Sequence, residues 1–222
     1  MPKRWYDDAC GTALALEFVG ERWSLLVMRE LMLGPRRFSE LKADLTGISA
    51  NVLTQRLEGL ERSGIVRRRK LPPPASVQVY ELTEWGLEAE PIFQTLGRWA
   101  VRSPLHDPMR PLSAVSAMLS LRTMLRLDRK PLSMAVAFRF PGNAFVGRLT
   151  PDGLEIERGE TEEADVTFDT DTSTFVTLVY GKLPFKQAEG EGTLRLGGDR
   201  RLARRFVECF ALPAKVTEAS GA

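Results

Sequence analysis

Apolar residues in the first hundred positions fall in short helical registers separated by glycine and proline. Residues 13–19 place Leu14 and Phe18 four apart. Residues 23–33 follow, with Leu25, Leu26, Met28, Leu31 and Met32 apolar; Gly34-Pro35 closes them, as glycine just past a helix and proline beyond it should. Residues 38–45 carry Phe38, Leu41 and Leu45 on one side, and Gly47 breaks the pattern. Ser49 is a good N-cap for a helix reaching about Arg62, which Gly64 stops. Alternating runs at 65–70 and 77–83 predict two strands around a turn whose tip is fixed by Pro72, Pro73 and Pro74. Thr83 caps a last helix through Trp99, with Pro91 set to kink or divide it.

Periodicity breaks at 101–112, which holds three prolines. Beyond it the pattern predicts a helix over 112–127 and strands at 134–140, 143–150, 154–159 and 164–170. A helix over 172–180, a strand at 191–196 and a helix over 200–210 follow. The fold class is α+β: residues 1–102 as a helix-turn-helix with a basic hairpin, and 112–215 as an α+β domain with a mostly antiparallel sheet.

Charge sharpens the first half. The whole chain of 222 residues carries a net charge of only +2, but 36–70 hold nine bases against four acids. With Leu53 at the centre of a helical face, Leu57 and Leu60 fall within about 40° of it. Asn51, Gln55, Glu58 and Arg62 fall opposite, with Thr54 on a flank. Asn and Gln can donate and accept together against an adenine edge in a major groove. The N-terminal part of such a helix reaches the bases, so Asn51, Thr54 and Gln55 are the candidate base readers. Ser49, Arg37 and Arg56 suit phosphates, though Arg56 can instead brace the fold. Arg67, Arg68, Arg69 and Lys70 suit the backbone or minor groove, where charge sets affinity and not sequence choice.

Hydrophobic content of 43% and charged content of 27% describe a soluble globular chain, and no run approaches the roughly 20 apolar residues of a membrane span. The N-terminus MPKRWYDDAC lacks the apolar core of a secretory leader, which predicts a cytoplasmic location. Two cysteines and one histidine exclude a Cys/His zinc finger. His106 has no Ser or Cys motif to serve, and there is no P-loop or dinucleotide fingerprint. The sequence therefore predicts no enzyme, no cofactor and no metal.

Residues from about 10 to 99 resemble the HxlR family of winged-helix regulators, relatives of the MarR group. The resemblance rests on Cys10; Gly20-Glu21-Arg22-Trp23; the run from Leu25 to Leu31; and Gly34-Pro35-Arg36-Arg37-Phe38-Ser39-Glu40-Leu41. It continues through Gly47-Ile48-Ser49, Val52-Leu53-Thr54-Gln55-Arg56-Leu57, Leu60, Gly64 and Tyr80-Glu81-Leu82-Thr83-Glu84-Trp85-Gly86. It implies a DNA-binding transcription regulator, a repressor in the leading reading. It also implies a homodimer, held by the domain's first and last helices, on a near-palindromic double-stranded operator. Here more than 100 residues follow such a domain. That second half resembles the sterol-carrier-protein-2 fold through Ala164-Asp165-Val166-Thr167-Phe168, the helix ending at Gly181-Lys182-Leu183, and the run from Glu191 to Asp199. The resemblance implies an apolar tunnel for a small, lipid-like effector. Its candidate lining is Phe168, Phe175, Leu178, Val179, Phe206 and Phe210, and the same six serve equally well as packed core. A second half that serves only dimerisation is the structural alternative.

Some HxlR-type proteins sense oxidants or electrophiles through an N-terminal cysteine, which makes Cys10 a candidate redox sensor. Asp7 and Asp8 are expected to raise its pKa, and burial at a dimer helix to quieten it. Cys209, on an apolar helix, is expected in the core.

Overall fold

The computed structural model describes residues 6–216 apart from Met109; the first five residues, part of the stretch read for a leader, lie outside it. The fold is α+β, in two compact units, one ending at Phe93 and the other starting at Gln94.

In the first unit, α1 (Gly11–Val19), α2 (Ser24–Leu31), α3 (Phe38–Asp44) and α4 (Ala50–Arg62) precede a hairpin of β1 (Val66–Lys70) and β2 (Gln78–Leu82). Then come α5 (Glu84–Leu87) and α6 (Glu90–Ala100), inside which the division between the units falls. The helical segment expected over 83–99 is divided in two near Pro91, as expected, because Pro91 lacks the N–H that a continuous helix would bond there. It sits instead in the first turn of α6, where no partner is needed. Antiparallel pairing runs from Val66 opposite Leu82 to Lys70 opposite Gln78. Arg36 adds a short third segment: its N–H donates to the Tyr80 carbonyl at 2.9 Å, and the Tyr80 N–H returns to Arg36 at 2.8 Å. Val27, Leu31, Leu41, Leu53, Leu57, Leu60 and Val66 close the core beneath. Each such side chain contributes roughly 1.5–3 kcal/mol by leaving water.

The second unit holds the end of α6, then α7 (Ala114–Met124), β3 (Met134–Phe140), β4 (Asn143–Leu149), β5 (Leu154–Arg158) and β6 (Val166–Thr170). It continues with α8 (Thr172–Val179), α9 (Phe185–Gly190), β7 (Leu194–Gly198) and α10 (Arg200–Glu208). The sheet order is β5-β4-β3-β6-β7, parallel only between β3 and β6. One sheet face presents Val136, Phe138, Phe145, Val166 and Phe168 to the core, with α8 and α10 packed on β6 and α7 on β5.

Three expectations need correction. The helix over 112–127 ends at Met124, because Leu125 turns extended and pairs with Phe210, and the Arg126 N–H donates to the Cys209 carbonyl at 2.8 Å. The strand expected at 191–196 runs later, at Leu194–Gly198. Helix α9 was not expected at all. The sequence does hold its signal: Pro184 before Phe185 and Ala188, a buried pair three apart.

The stretch after α6 is bound to the end of the described chain. Lys215 Nζ donates to the carbonyls of Val101 at 3.0 Å, Ser103 at 2.9 Å and His106 at 3.1 Å. The Val216 N–H donates to the Arg102 carbonyl at 2.8 Å. Among the described residues no helix is long and apolar enough to cross a membrane, and no group of His, Cys, Asp and Glu could hold a metal ion.

Candidate nucleic-acid interface

Helix α4 is fixed from below and from its start. Leu53, Leu57 and Leu60 are at most 1% exposed. At the N-terminus the Ser49 hydroxyl accepts the Val52 N–H at 3.2 Å, so one of the helix's unpaired donors is satisfied. The opposite face is open: Asn51, Thr54, Gln55, Glu58 and Arg62 are all exposed. Gly47 supplies the left-handed backbone, φ +91°, that turns the chain from α3 into α4.

The arginines before and on this helix divide by role. Arg37 is exposed beside the start of α3, its N–H held by Glu40 Oε2 at 2.7 Å. Arg36 is buried and ion-paired with Asp44, with Glu40 3.8 Å away. Arg56 is half-buried and turned to Glu21 at 3.3 Å, which braces α4 against the turn before α2. Sequence reasoning missed Glu21 and Arg36 as structural partners, because a contact between distant elements leaves no trace in local periodicity.

The wing is less bare than its run of four bases suggests. Arg67 and Arg69 point to the same side of β1 and both reach Glu81 on β2, at 2.7 and 2.8 Å. Arg68 points the other way and forms a two-pronged contact with Glu61 of α4, the shortest leg 2.7 Å. These bonds hold the carboxyls of Glu81 and Glu61 below the usual carboxylate range, Arg69 acting most strongly on the first and Arg68 on the second. All three side chains remain partly exposed, at 65, 48 and 45% for Arg67, Arg68 and Arg69. They can still meet a phosphate, with part of their charge already offset. Lys70 is exposed at the end of the strand. The strand alternation that sends Arg67 and Arg69 to one face was legible; the acids waiting on each face were not.

Cys10 stands at the N-cap of α1 and is exposed in the single chain; the burial expected of it belongs to a dimer. Its thiol lies below the ordinary cysteine range, because the backbone and side chain of Thr12 and the backbone of Ala13 favour the thiolate. The nearby carboxylate of Asp8 accepts the Cys10 N–H at 2.9 Å instead of raising the thiol as expected. Cys209 is buried, its Sγ donating to the Arg205 carbonyl at 3.2 Å, and burial pushes its thiol up.

In the second unit, Phe168, Phe175, Leu178, Val179, Phe206 and Phe210 are at most 1% exposed. The rings pack on one another: Phe168 and Phe175 have centroids 5.5 Å apart, Phe206 and Phe210 4.9 Å, and Phe138 touches Phe168, Phe175 and Phe206. Leu178 also lines a cavity of about 330 Å³ floored by Phe185 and Val207, with Lys182 and Arg204 beside it.

Comparison with known proteins finds a different family in each half of the chain. Residues 18–106 match the HxlR-like helix-turn-helix family, and residues 130–211 match the SCP-2 sterol transfer family. The HTH-type transcriptional regulator YodB of Bacillus subtilis is 38% identical over 86 residues, 39% of this chain and 77% of that protein. The uncharacterized HTH-type regulator YkvN of the same organism is 39% identical over 94 residues, 41% of this chain and 77% of its own length. Among solved structures, the reduced form of YodB aligns with 34% identity and a TM-score of 0.40, covering 45% of this chain and all of that one.

Proposed function

This chain belongs to the HxlR-like helix-turn-helix family of transcription regulators, and on that premise we propose that it acts in the cytoplasm as a homodimeric repressor on a near-palindromic DNA operator. The observation that carries the reading is α4: a capped helix on a buried leucine stripe, with Asn51, Thr54 and Gln55 open to solvent. Asn51 and Gln55 suit base edges. Ser49, Arg37 and the wing bases Arg67, Arg68, Arg69 and Lys70 suit phosphates; Arg56 positions the helix through Glu21.

The dimer is supported by an apolar stripe that is exposed among the described residues. On α6, Ile92 and Leu96 stand four apart and are exposed; so are Leu14 and Leu16 on α1. Two such stripes on symmetry-related copies would set the two α4 helices for half-sites of one operator.

The second half is read as an effector-binding unit on its similarity to the SCP-2 sterol transfer family. A small apolar ligand acts there only by binding one DNA-affinity state better than the other. Opening a tunnel in this unit means parting the phenylalanine cluster.

Operator binding by the full chain, selected from random duplexes and followed by fluorescence anisotropy, tests the central claim. Gln55→Ala should narrow the gap between preferred and mismatched operators by about 1–3 kcal/mol. An equal loss on every sequence would contradict base reading by this helix.

The exposure and lowered thiol of Cys10 favour a second reading, an oxidant- or electrophile-sensing regulator. Alkylation of Cys10 should reach half-maximal rate below the pH of a free cysteine. Operator release by oxidant that persists unchanged in Cys10→Ser would remove this reading.

A further inference from the structure

A groove of about 950 Å³, lined wholly by residues from Gln94 onward, runs between the end of α6, the end of α7 and the turn joining β4 to β5. Four arginines line it (Arg98, Arg102, Arg122 and Arg129) against one acid, Asp152. Three of the four are held in a way opposite to the wing. Arg98 donates to the Thr123 carbonyl. Arg102 Nε reaches the Ala214 carbonyl at 3.4 Å. Arg129 donates to the carbonyls of Arg126 at 3.0 Å, Thr150 at 2.8 Å and Pro151 at 2.8 Å. A carbonyl fixes a guanidinium without cancelling its charge, so this wall keeps a positive potential that the wing's carboxylates partly remove. Arg129 Nε is buried and has no hydrogen-bond partner among the described residues. Gln94, Thr95 and Thr123 add polar groups, and the apolar part of the lining is open: Trp99 is 72% exposed and Leu127 95%.

We propose that this groove binds an organic anion with an apolar body, a fatty or aryl carboxylate. A carboxylate matches the planar fork of a guanidinium, and the body lies on Trp99 and Leu127. The volume falls within the range of ordinary small-molecule sites. Inorganic phosphate answers only the charge and a neutral alcohol only the apolar surface, so neither satisfies the groove. The site is separate from the carrier-type tunnel, since none of the six candidate tunnel residues lines it. Binding here leaves the phenylalanine cluster closed.

Isothermal titration of the full chain at moderate salt tests this with decanoate and 1-naphthoate, against 1-naphthalenemethanol and inorganic phosphate. One carboxylate should bind per chain, with both control compounds weaker by about tenfold or more. Arg102→Gln should weaken the carboxylate by about tenfold, and Arg102→Lys, which keeps the charge and loses the fork, by less. Leu127→Ser alters a side chain that touches almost nothing and should weaken binding with an unchanged circular dichroism spectrum. No heat with either carboxylate, equal binding of naphthoate and its alcohol, or affinity unchanged in both Arg102→Gln and Leu127→Ser would overturn the proposal. No DNA is present, so failure here leaves the operator reading standing, and a separate operator titration without ligand judges that reading.

Discussion

Arg36 and Arg37 are neighbours of equal charge and opposite fate. Arg36 is 7% exposed, ion-paired with Asp44 and bonded through its backbone to Tyr80; Arg37 is exposed. Removing one partner of a mostly buried pair strands the other charge. Arg36→Ala should therefore cost about 2 kcal/mol in urea denaturation, reduced from the fully buried figure because Asp44 keeps 20% of its surface. Arg37→Ala should leave stability within about 0.5 kcal/mol and weaken DNA binding on all sequences alike. The sequence counted both in one basic tally, and nothing in local spacing could separate them. The outward set on α4 was legible because a helix maps position directly onto direction. Pairing across elements was not, and the wing shows the cost: three of its four arginines and lysines share Glu61 and Glu81. Glu61→Gln should free Arg68 and steepen the fall of operator affinity with salt by up to roughly 0.9 in log–log slope. An unchanged slope would mean that Arg68 does not meet the DNA.

At the scale of elements, Gly198 shows how one turn sets two neighbours. Its φ is +77°, and a Cβ there would lie 2.1 Å from the Asp165 carbonyl oxygen, with no flexible side chain to give way. The turn delivers Asp199, whose carboxylate accepts the N–H groups of Arg201 at 2.6 Å and Leu202 at 3.1 Å and so starts α10. Gly198→Ala should lower stability by about 2–3 kcal/mol in thermal or urea unfolding, through strained backbone and steric overlap together. This Gly-Gly-Asp run ends β7 and starts α10. Strands β3 to β6 were legible from alternation and turn residues. Helix α9 was not, because six residues carry too short a period to stand out, and α7 was overextended because its end depends on pairing with Phe210, far along the chain.

For the whole molecule, the exposed stripe of α6 ties oligomeric state to function. Leu96→Glu places a charge in that stripe and should shift the chain to monomer by light scattering, with operator affinity falling in step. A dimer of unchanged mass would move the interface elsewhere. The bonds from Lys215 and Val216 to the segment after α6 have a topological consequence. The stretch from Val101 to Val216 therefore closes on itself, its two ends held side by side. Its ends are near enough for a short linker to join them, so the stretch should tolerate circular permutation, reopened at a surface turn such as that between β4 and β5.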